Sequence, residues 1–370
     1  MQSGELKKFE ISRDETLYEA FPDLAISPSG KLICVFLECG HHVDRSYSRI
    51  MFCESFDRGR TWSPKKALTE GLRNAGVWWN CPRIQQLKDG RMLVIVDRVY
   101  GNKMPEELKS KSEVVLYFSN DGGITWSGPV ETPCDGIVPD KICETSTGRW
   151  LLSVHHRDPV SSNLAQRLWY SDDKGKSWNG PLSVASQKGL DLCEISIIPV
   201  DDKLVGLLRE NSGIGLDCYK VISGDDGLTW SEPVAFPLPG CHRPVAGNLK
   251  DGRIMISYRF IQGGKPGSWT QNFFAAITDR QSMLAPARNG ALARIRPVDF
   301  DRAAHSDTGY SGWVQFDNGE VYIVNYIVDD ALKAHIRGYA MNIDEFFDPP
   351  KKLPEIGRTG NAKQAVAAVL

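Results

Sequence analysis

Six times along the chain, a tight polar turn leads directly into a strongly apolar run. The segments read SPSGKLICVF, LKDGRMLVIV, TSTGRWLLSV, PVDDKLVGLL, LKDGRIMISY and FDNGEVYIVN. Their turn positions are Gly30, Gly90, Gly148, Asp202, Gly252 and Gly319, about 50 to 67 residues apart. Turn residues flanked by β-branched and aromatic side chains predict a β-hairpin at each. Helical periodicity is nearly absent, apart from the tail near NAKQAVAAVL.

A second pattern follows four of these hairpins: SFDRGRTW (Ser55 to Trp62), SNDGGITW (Ser119 to Trp126), SDDKGKSW (Ser171 to Trp178) and SGDDGLTW (Ser223 to Trp230). The aspartates at its third position, Asp57, Asp121, Asp173 and Asp225, are spaced by 64, 52 and 52 residues. Periods of this size mean propellers or repeat arrays. Within each box the Asp accepts hydrogen bonds from the turn backbone and the Gly takes positive φ. The Trp packs between neighbouring repeats. Six four-stranded units account for nearly the whole chain, so the expected fold is all-β, a six-bladed β-propeller of four-stranded antiparallel blades. It is read as a single domain over residues 1–370, with a C-terminal tail from about residue 350.

Composition narrows the partners. A net charge of -2 leaves no overall basic field for nucleic acid or an anionic membrane. No apolar run approaches the roughly 20 residues of a membrane-spanning helix, and the first residues lack the apolar core of a signal peptide. The nine cysteines include no CxxC pair, and several fall inside strand-like runs. Buried thiols in a reducing compartment, hence a cytoplasmic protein, are the expectation.

In a propeller, the innermost strand of each blade points one end at a shared central pocket. The segments AFPDL, NCPRI, VPDKI, LCEIS, HRPVA and GYSGW offer Asp23, Arg83, Asp140, Lys141, Glu194, His242, Arg243 and Tyr310 there. The returning strands offer Glu38, Asp44, Arg98, His155, His156, Arg209, Arg259 and Tyr326. Charges at the ends of apolar strands are costly unless they pair or line a wet cavity. Arginines near several blade tips therefore suggest a local cationic cup, and arginine suits bidentate recognition of a carboxylate. An acidic glycan is the simplest ligand. Adjacent histidines such as His41/His42 and His155/His156 point to opposite faces of a strand, so no metal site is expected. Gly263-Gly264-Lys265 lacks the loop and following helix of a phosphate site, and no cofactor is expected.

The boxes match S-x-D-x-G-x-[ST]-W, and over residues 18 to 345 the chain resembles the sialidase (neuraminidase) superfamily. The resemblance implies a glutamate followed about fifteen residues later by a carboxylate-binding arginine, matched here by Glu194 and Arg209. It implies a nucleophilic tyrosine in the YS that opens the last blade, matched by Tyr310. A general acid/base aspartate belongs after the first blade's second strand, where Asp44 stands. The family's first arginine, in R-I-P, is replaced by Ala20. The third is sought in Arg243 or Arg259, and Arg83 is a substitute from the second blade. His242, Asp23 and His155 complete the candidate substrate contacts.

A neutral tyrosine suits a keto-acid sugar, whose anomeric carboxylate would repel an anionic nucleophile. Glu194 would take its proton, Asp44 would protonate the leaving oxygen, and the arginines would hold the carboxylate. Two other readings stay open: a polysaccharide lyase on uronic acids, with His155 or His242 and Tyr310 moving protons, and a sugar-binding propeller without catalysis.

Overall fold

A computed structural model describes residues 6–261 and 270–348. Gly263-Gly264-Lys265 and the tail NAKQAVAAVL lie outside the described residues. Among the described residues, no helix is long and apolar enough to cross a membrane.

Six antiparallel sheets follow one another along the chain, as the hairpin repeat predicts. Blade four shows the pattern most plainly, with Leu192–Val200, Lys203–Glu210, Asp217–Ser223 and Val234–Pro239 pairing in sequence order. Blades one, three and five begin with Tyr18–Ile26, Cys143–Glu144 and Cys241–Asn248 as their inner strands. In blade two, Val77–Trp79 and Arg83–Gln86 both pair with Met92–Tyr100, so its inner strand is broken in the middle. The second strand of each blade is covered by neighbouring blades on both faces. Leu32–Cys39 is buried at every residue, and this is why such strands read as unbroken apolar runs rather than alternation.

The sequence repeat gives no sign of how the ring closes. Blade six takes Thr308–Gln315, Val321–Ile327 and His335–Met341 from the end of the chain, and its outer strand Lys7–Ser12 from the beginning. That strand covers an edge which would otherwise present unpaired backbone groups. It also ties both ends of the propeller into one ladder.

At the four boxes, the sequence reading of the turn holds in detail. Asp57 Oδ1 accepts from the Thr61 amide at 2.9 Å and Oδ2 from its hydroxyl at 2.6 Å. Ser55 Oγ donates to Asp57 at 2.9 Å and accepts from the Gly59 amide at 2.8 Å. The glycine has a second duty, because a Cβ on Gly59 would meet the Tyr322 ring of blade six at 2.3 Å. Trp62 packs against that same ring at 6.1 Å, so the box joins adjacent blades. In the fourth hairpin the left-handed residue is Asp201 (φ 55) rather than the expected turn centre Asp202, because Val200 pairs with Lys203 and leaves a two-residue loop.

The joints between inner strands are polar. Asp23 accepts from the Ile84 amide of blade two at 2.8 Å, and Asp140 from the Ile197 amide of blade four at 2.9 Å. Ser196 accepts from the Ala246 amide of blade five at 3.1 Å. At the closing joint, Gly312 of blade six lies directly on Asp23. A Cβ there would meet Asp23 Oδ1 at 2.0 Å and the Leu24 nitrogen at 2.7 Å. Gly312→Ala is therefore expected to destabilise the fold by about 3 kcal/mol, at the upper end of overpacking costs. Gly224→Ala, where nothing lies within 4 Å, should stay within about 0.5 kcal/mol. Urea unfolding of the two variants, read as a midpoint shift at constant slope, checks the pair.

Candidate active site

Each inner strand is interrupted at its axial end. Register shifts fall at Ala20/Asp23, Cys193/Ser196, His242/Val245 and Gly309/Gly312. The residue at the break adopts a left-handed backbone: Phe21 (φ 56), Glu194 (φ 50), Arg243 (φ 52) and Tyr310 (φ 53), with Val138 (φ 54) at the corresponding place in blade three. A bulge of this kind re-aims a side chain, and non-glycine residues in this region cost about 1–3 kcal/mol each. Here it turns one residue toward the axis in each of these five blades.

Three of the predicted residues meet as a consequence. Tyr310 Oη donates a very short hydrogen bond to Glu194 Oε1. Arg209 Nη1 donates to the same oxygen at 2.7 Å and lies 3.3 Å from the phenol. Burial alone would raise the Glu194 carboxyl, but Arg209, His155, Arg259 and the Tyr310 hydrogen bond hold it well below the usual carboxylate range. Burial and the Glu194 charge push the Tyr310 phenol well above its ordinary value. The resting trio is thus a carboxylate, a guanidinium and a neutral phenol whose proton already points at a base.

Tyr310 and Arg209 open onto a cavity of about 780 Å³ that also receives Arg259, Gln271, Asp307, Tyr18 and His42. It lies at the end of the propeller opposite the boxes, lined by the loops after the second strands of blades one and six and by the connection from blade five into blade six. Arg259 lies over the Tyr310 ring at 4.9 Å and contacts Gln271 and Tyr326, each at 3.4 Å. Gly309 makes room for it, since a Cβ would meet the Arg259 stem at 2.3 Å. Of the two fifth-blade arginines, Arg259 is the one that lines the cavity.

Arg83 and Arg243 do different work. Arg243 donates to the carbonyls of Pro139 at 2.9 Å and Ile195 at 3.4 Å, and Arg83 to that of Ser311 at 3.0 Å. Each acceptor is the residue just after an axial break, so these guanidiniums brace backbone groups that the bulges leave without ladder partners. Asp23 is fully buried between Arg83 at 3.4 Å and Lys141 at 3.2 Å. His155 and His242 are buried too, 5% and 1% exposed, and do not line the cavity. Asp44 is exposed, its carboxylate turned to the Ser46 amide at 2.9 Å, and is likewise absent from the lining. At the first-blade position, Ala20 stays in the ladder opposite Leu37, and Phe21 is the residue at the break.

Sequence reading overlooked Asp307. This carboxylate takes hydrogen bonds from Tyr18, from Tyr326 at 2.8 Å and from His42 Nδ1 at 2.5 Å, and pairs with Arg259 at 3.8 Å. It precedes Tyr310 by three residues, outside the pattern that marked GYSGW, and four separate elements converge on it.

The six blades and their four boxes make this a BNR-type propeller. The chain belongs to the BNR repeat-like domain family, whose model matches residues 100–323. No curated protein matches it by sequence. Among solved structures it is similar to a protein of unknown function from Dyadobacter fermentans DSM 18053, with a TM-score of 0.73 and 21% identity over 90% of this chain and 98% of that one. A Hadza microbial sialidase gives a TM-score of 0.68 and 19% identity, covering 91% and 68%. An alpha-L-arabinofuranosidase from Fusarium graminearum gives 0.66 and 13%, covering 91% and 98%. At these identities the likeness is one of fold.

His155 carries a pH consequence. Burial, reinforced by Arg209 and Arg243 and opposed by Glu194, lowers it from 6.5 to about 4. The unfolded chain then binds this proton first. The stabilising contribution is complete above about pH 6.5 and is lost as pH falls toward 4. His155→Gln should flatten the fall of unfolding free energy over that window by up to about 1.4 kcal/mol per pH unit. Denaturant titrations of both proteins at half-unit pH steps test this.

Proposed function

We propose that the chain is a glycoside hydrolase that releases a terminal acidic sugar of the sialic acid type, through a covalent intermediate on Tyr310. The observation that carries this is the hydrogen-bonded trio of Tyr310, Glu194 and Arg209 at the floor of a cavity that Arg259 also enters. A keto-acid sugar has its carboxylate on the anomeric carbon, which disfavours an anionic nucleophile. A neutral phenol avoids that repulsion, and Glu194, already ionised and already bonded to the phenol, takes the proton as the oxygen attacks. Tyrosine nucleophiles are the known departure of sialidases from the two-carboxylate scheme. Arg209 and Arg259, from adjacent blades, would hold the sugar carboxylate and orient the reacting carbon.

A second reading, a neutral sugar, draws on Phe21 at the first-blade break and on the Arg209–Glu194 and Arg259–Asp307 pairs, which leave the cup closely balanced in charge. The named activity of the arabinofuranosidase with the same fold agrees with it.

With an activated aryl sialoside, the wild type is expected to release saturated sugar, and Tyr310→Phe to lower kcat by about 10³-fold or more. An unsaturated product absorbing in the near ultraviolet would mean elimination instead. Arg259→Lys should lower kcat/KM about 10- to 100-fold, the worth of one hydrogen bond between charged partners. Full activity in Tyr310→Phe would refute the mechanism, and turnover of arabinosides alone would favour the neutral-sugar reading.

A further inference from the structure

We propose that His42, held by Asp307, is the general acid and base of this site. The inference rests on the glycosidase reading above and supplies what that reading lacks. In the trio, Glu194 is the acceptor and Tyr310 the nucleophile, so neither has a proton for the departing oxygen. Asp44 is turned to its own loop backbone, at 2.9 Å from the Ser46 amide, and lies outside the cavity lining.

His42 lines the cavity, with its side chain 36% exposed. Its Nδ1 is 2.5 Å from Asp307 Oδ2, so a proton on Nδ1 is held by the carboxylate and Nε2 is the nitrogen left to exchange one. The ring stands edge-on to Phe21 at 5.3 Å, and Phe21 in turn contacts the Tyr310 ring at 4.9 Å. The imidazole and the nucleophile therefore flank one aromatic side chain. Asp307 is itself over-determined by Tyr18, Tyr326 and Arg259, which gives the dyad a fixed orientation.

The proton count closes. As the Tyr310 oxygen bonds to the anomeric carbon and the glycosidic C–O bond breaks, the phenol proton passes to Glu194 and the His42 Nε2 proton passes to the leaving oxygen. In the second step, water loses a proton to Nε2 and its oxygen bonds to the anomeric carbon. The C–O bond to Tyr310 breaks, and Glu194 returns its proton to the phenolate. One water is consumed and one glycosidic bond is split.

The charges around His42 are Asp307 from the connection into blade six and, behind it, Arg259 from blade five. Tyr326 and Lys333 face it from blade six and Tyr18 from blade one. His41 and Asp44 share its loop, and Arg45 lies over Phe21 at 5.5 Å.

The test compares an unactivated sialyl oligosaccharide, which needs its leaving oxygen protonated, with an activated aryl sialoside, which does not. His42→Gln is expected to lose about 10²- to 10⁴-fold in kcat/KM on the oligosaccharide and less than about tenfold on the aryl substrate. Asp307→Asn, which loosens the partner that orients the ring, should show a smaller loss with the same dependence on the leaving group. Equal losses on both substrates, or a leaving-group-dependent loss in Asp44→Ala instead, would overturn the dyad while leaving the Tyr310 reading standing. No turnover of either substrate by the wild type would sink both.

Discussion

The organising constraint is the break in each inner strand where it reaches the axis. A regular strand alternates its side chains between the two neighbouring blades and would present only backbone to the centre. In blades one, four, five and six the extra residue of the bulge, in a left-handed conformation, swings one side chain inward. Glu194 and Tyr310 meet across the ring because each is that residue in its blade, although 116 positions separate them in the chain. The local strain, about 1–3 kcal/mol at each break, is held in place by the interlocked blades around it.

The same break explains why the arginines divide into two sets. A bulge frees backbone carbonyls from the ladder, and buried carbonyls demand donors. Arg83 and Arg243 meet that demand at Ser311, Pro139 and Ile195, and Asp23 neutralises Arg83 beneath the cavity. Arg209 and Arg259 come from returning strands, one step farther from the axis centre, and reach the open space instead. Each has an acidic neighbour, Glu194 and Asp307 respectively, so the bowl is closely balanced in charge. Such balance keeps a phenol neutral and a carboxylate ionised a few ångströms apart.

Much of the architecture was legible in advance, because its causes are local. The bonds that shape each Asp-box turn run between residues at most four apart, as from Asp57 to Thr61. The apolar second strands announce burial by composition alone. The pairing of Glu194 with Arg209 was readable too, since both lie in one hairpin at register-adjacent positions. Closure by Lys7–Ser12 was not, because an outer strand lying partly in solvent leaves little hydrophobic trace.

The sequence by itself therefore determined six blades, their turns and the residue types available at each tip, all properties of spacing and composition. Only the tertiary structure decided which tips share a space: that Arg259 and not Arg243 enters the cavity, that Phe21 and not Ala20 sits at the first break, and that Asp307 gathers Tyr18, His42 and Tyr326. The reason is geometric. A side chain's direction depends on bulge register and on which blade lies opposite, and neither is written in the spacing of residues along one strand.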